Sequence, residues 1–166
     1  MSSTGCDVST APSSDLSTLA AGAAQDRAAH ERVALSLARQ GMMNHLGVRL
    51  LSATVGQVEL AVPYSDKVTQ QQGGFHGGAI GALADIAAGY AALTVSPEGM
   101  EVTTVEYKIN FLSNFQGGEI RATGRVTKAG KRIIVTSAEV VHINDSGQRS
   151  DLSLIHISEP TRLRRI

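Results

Sequence analysis

The chain has 166 residues, 42% of them hydrophobic, 18% charged and 4% aromatic, with no Trp and a formal charge of zero. That size suits one domain with an aliphatic core, and the balance supplies neither the positive field nor the stacking platforms that nucleic acid binding draws on. The lone cysteine, Cys6, builds no internal disulfide and no metal site; with no basic, apolar signal start and no apolar run expected to reach the ~18 residues of a membrane span, the reading is a soluble cytoplasmic protein.

Residues 1–22 are mostly Ser, Thr, Ala and Gly and predict a disordered leader, because ordering them costs more entropy than their burial returns. From Gln25 to Met43, apolar Ala28, Val33, Leu35, Leu37, Ala38 and Met42 interleave with Asp26, Arg27, Glu31, Arg32 and Arg39, the pattern of an amphipathic helix stopped near Gly41 to Gly47. Val48 to Thr54 and Gln57 to Val62 read as a hairpin turning at Val55-Gly56 and closed by Pro63. After a polar loop, Gly77 to Val95 is almost wholly Ala, Gly, Leu and Ile, and a helix apolar all round must be buried. Strands follow over Val102 to Leu112, Glu119 to Thr127 and Lys131 to Asn144, the second with Ile120, Ala122, Gly124 and Val126 alternating against Glu119, Arg121, Thr123 and Arg125. The whole predicts an α+β fold: an antiparallel sheet wrapped around one long helix, with an additional N-terminal helix.

The stretch LSLIHISEPTR, Leu152 to Arg162, resembles the translation of a transposon-end sequencing adapter. On that resemblance the domain runs over residues 23–151, residues 152–166 are a non-native tail that fills the place of the last strand by its alternation, and His156 carries no functional information. Removing the tail takes away three arginines and Glu159, which leaves the charge argument standing.

Chemistry concentrates in QQQGGFHGGAIGALAD, Gln70 to Asp85. Asp85 is the only carboxylate between His76 and Pro97, and its helical neighbours Gly81, Ala82, Ala88 and Gly89 offer it no partner. Burial there raises a carboxylate's pKa and basicity; the residue reads either as a base at a reaction centre or as a carboxylate capped by backbone or water at a subunit contact. His76-Gly77-Gly78 opens the helix, where free N–H groups favour developing negative charge; the alternative is a tight turn. Eight residues separate Gly77 from Asp85, about 12 Å along a helix. Both touch one carbonyl only if each belongs to a different subunit of a two-fold dimer.

The run QQGGFHGGAIGALADIAAGYAA, with the later VEYKINFL and GKRIIVTSAEVVHI, resembles the PaaI-type branch of the hotdog-fold acyl-CoA thioesterases over roughly residues 30–150. The resemblance implies hydrolysis of an acyl-CoA without metal or organic cofactor, at sites shared between two subunits of a homodimer, with a homotetramer left open; composition and charge, as above, predict no nucleic acid or membrane partner. It makes Asp85 the nucleophile or general base and the Gly77 N–H the group that polarises the thioester carbonyl, with Gly78 beside it. Relatives place Asn six residues before the His; that position here is Gln70, followed by Gln71 and Gln72. A hydroxyl near the start of the next strand aligns with Thr104, although parity puts Thr104 with Glu106 and Lys108, opposite the apolar Val105, Tyr107, Ile109 and Phe111. His76 reads as holding the turn through its ring in preference to acting as a base, and His142, within an apolar strand, as structural. Lys128, Lys131 and Arg132 surround the Ala129-Gly130 turn and read either as a solvated hairpin or as partners for CoA phosphates.

Two competing readings remain at this level. A hotdog enoyl-CoA hydratase or dehydratase needs a working His beside an acid. A non-catalytic acyl-CoA-binding module gains nothing evident from an anion beside the thioester, which weighs Asp85 against it.

Overall fold

The computed structural model describes residues 14–165, with side chains described for residues 16–153. Helix α1 (Ser14–Ala38) is longer at its start and shorter at its end than the sequence pattern predicts. The leader expected over residues 1–22 is helical from Ser14, because the Ala and Leu residues of 16–24 are strong helix formers and continue α1 even with Leu16 and Leu19 exposed. Residues 1–13, Cys6 among them, lie outside the described residues. At the other end, Arg39 and Gln40 donate their N–H groups to Ser36 O and Leu37 O, tight bonds that stop α1 before a separate short helix, α2 (Gly41–Leu46).

The buried stripe of α1 is Ala29, Val33 and Leu37, spaced by four. The hairpin forms as predicted, β1 (Arg49–Thr54) antiparallel to β2 (Gln57–Pro63), with Gly56 at φ +83° supplying a turn conformation that side chains resist. Helix α3 (Gly77–Val95) has the predicted ends, and Ile80, Leu83, Ala84, Ala87, Ala88 and Ala91 are buried along it. Its length and composition would suffice to cross a membrane, contrary to the expectation that no segment reaches that length; it is instead mostly buried within the protein. Helix and sheet approach closely at Gly124, where an added Cβ would stand 2.2 Å from the Ala87 carbonyl oxygen.

The remaining strands are β3 (Met100–Thr103), β4 (Lys108–Phe111), β5 (Glu119–Ala129), β6 (Ile133–Ile143) and β7 (Arg149–Arg165). Sheet order is β1-β2-β5-β6-β7-β3, with β4 also on β7 and every neighbour antiparallel. The single strand predicted over Val102 to Leu112 is therefore broken at residues 104–107. Its partner explains the gap: β7 pairs with β3 through residues 162–165 and with β4 through 153–156, while the intervening stretch contains Pro160, which has no N–H for a ladder. The segment 152–165 thus lies inside the sheet, between β6 on one side and β3 and β4 on the other. The side chain of His156 lies outside the described residues.

Candidate active site

The start of α3 is built by His76. Its backbone is extended (φ −69°, ψ 133°), its carbonyl accepts from the N–H groups of Ala79 and Ile80, and its ring Nδ1 accepts from the Gly78 N–H at 2.8 Å. This is an N-cap made by an imidazole, and it gives His76 the turn-holding part read from the sequence. It also divides the two glycines. The Gly78 N–H is satisfied by His76, whereas the Gly77 N–H has no acceptor among the described residues. Gly77 is close to the ring of Phe111, 3.3 Å from where a Cβ would stand to Phe111 Cζ, so the free N–H lies beside an apolar surface.

Two turns along the same helix stands Asp85. Its Oδ1 accepts from the Thr104 hydroxyl at 2.7 Å. Burial holds the Asp85 carboxyl above its ordinary value of 3.8, and the Thr104 hydrogen bond opposes part of that rise by favouring the charged form. The pairing corrects the parity argument from the sequence, which turned Thr104 away from the apolar face. Parity holds only inside a strand, and residues 104–107 leave the ladder, freeing Thr104 to swing its hydroxyl to α3.

The three glutamines do not gather at Asp85. Gln70 spends its side chain on its own turn: Oε1 accepts from the Gln72 N–H at 3.1 Å and Nε2 contacts Gln72 Oε1 at 3.4 Å, while its backbone bonds to Gly73 and Gly74. Gln72 O is further held by Gln116 Nε2, and Gln71 is exposed. All precede His76, so they belong to the end of α3 that carries Gly77. Lys128, Lys131 and Arg132 are exposed at the β5–β6 tip. That tip lies about 16 Å along the strand beyond Gly124, at the end where Val126 bonds to Gly56 and Gly56 to Thr94, late in α3. Within one chain it is remote from Gly77. His142 is buried, bonded through Nε2 to Gly117 O at 3.0 Å and stacked on Phe115 with centroids 4.6 Å apart, a structural placement.

Sequence reasoning missed the surroundings of Asp85 on the α1 side. A recess of about 90 Å³ opens beside Asp85 and Thr104 and is lined by Gly89, Tyr90, Ser36 and Gln40. Gln40 Nε2 donates to the Tyr90 hydroxyl at 2.8 Å, and that hydroxyl donates to Ser36 Oγ at 3.3 Å. Gly89 sits one turn beyond Asp85 and was read as its helical neighbour; Tyr90, five residues on, was not singled out, and Ser36 and Gln40 arrive from α1, where no local pattern announces them. A larger cleft of about 790 Å³ lies elsewhere, between α1, the β1–β2 turn and the last turn of α3. The guanidinium of Arg32 on its wall is committed to the carbonyls of Ser96, Pro97 and Met100, and Asp85 and Gly77 are not part of it. Among the described residues no three His, Cys, Asp or Glu side chains converge as a metal site.

Residues 72–147 match the family model of the thioesterase superfamily. A thioesterase family protein from Silicibacter pomeroyi is 34% identical, with 82% of this chain and 97% of that one superimposed at a TM-score of 0.75. The E. coli PaaI protein of the phenylacetic acid degradation operon shares the fold at a TM-score of 0.71 and 22% identity, over 86% of this chain and 96% of its own. A protein of Saccharolobus solfataricus named as a putative esterase is 36% identical over 94 residues, 57% of this chain; the chain spans 66% of that relative's length.

Proposed function

This chain belongs to the thioesterase superfamily and has its hotdog fold, and from that premise we propose that it hydrolyses an acyl-CoA thioester at sites shared between two subunits, in the manner of the PaaI-type branch. The observation that carries the proposal is the pairing of a desolvated carboxylate, Asp85 held by Thr104, with an unengaged N–H at Gly77 on the same helix. The first supplies a base or nucleophile, the second a donor for an oxyanion.

About 12 Å of helix separates the two, so one thioester carbonyl meets the Asp85 of one subunit and the Gly77 of its partner. The surface supports such a pairing. Val105, Tyr107, Phe111 and Leu112 are exposed, and two of them lie over the small-residue face of α3: Phe111 against Gly77 and Tyr107 near Gly81. A second copy of the chain would cover this apolar strip.

The ionised Asp85 has one oxygen held by Thr104 and the other without a partner among the described residues. That free oxygen attacks the carbonyl carbon, or takes a proton from a water that does. In either route a C–O bond forms, the carbonyl oxygen becomes an oxyanion at the Gly77 N–H, and collapse breaks the C–S bond to release CoA thiolate; in the base route Asp85 returns its proton to the thiolate or to solvent and the free acid leaves, and in the nucleophilic route water then cleaves the anhydride formed on Asp85 to free the acid and the carboxylate. A hydratase would need His76 as a working acid beside an acidic residue; with Nδ1 accepting from the Gly78 N–H, only its Nε2–H is left for that part. Lys128, Lys131 and Arg132 remain candidates for the CoA phosphates, reaching the reaction centre only through the length of CoA or from another subunit.

Thiol release from a panel of acyl-CoAs, read with a colorimetric thiol reagent, tests the proposal. Asp85→Asn and Asp85→Ala are expected to lower turnover by at least ~10³-fold with the oligomer intact; near-normal rates in either would sink the assignment.

A further inference from the structure

The recess beside Asp85 has features that the hydrolytic chemistry leaves unused. Its floor is Gly89, where an added Cβ would meet nothing within 4 Å, so the space above that glycine is open. Its end wall is polar and comes from another element: Ser36 and Gln40 on and just after α1, joined to Tyr90 of α3 by the hydrogen bonds described above. Tyr90 is buried, so the chain of hydroxyl and amide groups is fixed rather than floating in solvent. Gln40 donates one N–H to Tyr90, and its Oε1 has no partner among the described residues; a group bound at the end of the recess would find an acceptor waiting.

Size decides what such a group belongs to. At about 90 Å³ the recess is far below the ~300 Å³ and upward of a complete small-molecule site, so it takes the end of a substrate and not its bulk. Tyr90 lies five residues beyond Asp85, about 7.5 Å along the helix. A short acyl chain whose carbonyl meets Asp85 reaches the end wall; a long alkyl chain overruns it and would strip water from Gln40 and Ser36 without replacing the hydrogen bonds. Charge narrows the choice further. Glu101 also lines the recess but is paired with Arg39 at 3.7 Å, which leaves the Asp85 carboxylate, with no cation beside it among the described residues, to disfavour an acyl group ending in an anion.

We infer that this recess receives the far end of the acyl group, that Ser36, Gln40 and Tyr90 read that end, and that the preferred acyl group is short and hydroxyl-bearing. The inference rests on the thioesterase reading for the placement of the carbonyl at Asp85. In it, α1 is a specificity element, because the wall that measures the acyl group is carried by the end of that helix.

The test uses the full chain and four probes: acetyl-, butyryl-, 3-hydroxybutyryl- and octanoyl-CoA. Both kcat/KM for thiol release and, in an Asp85→Asn background, Kd by calorimetry are measured for the parent sequence, Gly89→Ala and Gln40→Leu. Gly89→Ala, whose methyl enters open space, is expected to lower the butyryl-to-acetyl ratio at least tenfold. Gln40→Leu is expected to reverse the preference for 3-hydroxybutyryl over butyryl. Turnover with unchanged ratios in both variants overturns the recess and leaves the thioesterase standing. Ratios that shift in Kd while the parent sequence hydrolyses nothing keep the recess and overturn the thioesterase. Absence of both binding and turnover overturns both.

Discussion

Asp85 and Thr104 form a pair whose parts pull in opposite directions. Burial raises the carboxyl pKa and the Thr104 hydroxyl lowers it, so if Asp85 works as proposed the acid limb of the pH–rate profile is expected above the ordinary carboxylate value, with activity lost as pH falls through the folded pKa of Asp85. Thr104→Ala removes the lowering influence. The acid limb of kcat/KM is then expected to move to higher pH, with activity at high pH reduced less than activity near the limb; an unmoved limb would mean that Thr104 does not touch the working carboxylate. The sign for stability is the reverse of the usual acidic residue. A raised folded pKa means that Asp85 favours the fold below its unfolded pKa and that this contribution is lost as pH rises through the folded one, so the charge that the proposed chemistry requires works against folding.

At the scale of the element, α3 is where sequence and structure agree best. Its ends, its buried character and the spacing of His76, Gly77 and Asp85 were legible because a long run of small apolar residues admits one reading, a buried helix, and because caps and helix rise are local rules. Resemblance singled out Thr104, but parity turned it the wrong way for the opposite reason: its orientation depends on whether its stretch is paired, and that is settled by a partner strand far along the chain. Ser36 and Gln40 were invisible for the same kind of reason, since the recess exists only once α1 is laid against α3. The start of α3 offers a clean test of the oxyanion donor. Gly77 is the first helical residue, and His76 before it is extended (ψ 133°), the conformation a following proline demands. Gly77→Pro therefore deletes the free N–H while keeping the helix. A fall in kcat of ~10²-fold or more is expected, with the exposed Phe111 ring shifting slightly to admit the proline ring; unaltered kcat would remove Gly77 from the mechanism.

At the scale of the whole molecule, the spacing along α3 makes a quantitative demand. If each site draws Asp85 from one subunit and Gly77 from the other, Asp85→Asn and Gly77→Pro chains that are each inactive should rescue one another. A mixed dimer has one site with both lesions and one with neither. Random reassembly of equal amounts makes half the dimers mixed, so about a quarter of the parent activity should return. Thiol release from the co-refolded mixture, compared with the two variants alone, checks this; no recovery in dimers shown to be mixed would place each site within a single chain.

The position of β7 carries a consequence for how such a sheet can come into being. β1 with β2, and β5 with β6, are joined by short turns and can pair as soon as they are made, whereas β3 and β4 must wait for a strand dozens of positions later to arrive beside β6 and offer them an edge. Closing so long a loop costs entropy before any contact repays it, so the last strand to enter sets the pace. Thr104, lying between β3 and β4, is then expected among the last residues to find its place, so that the candidate site at Asp85 would mature at the end of folding, when the final strand has closed the sheet.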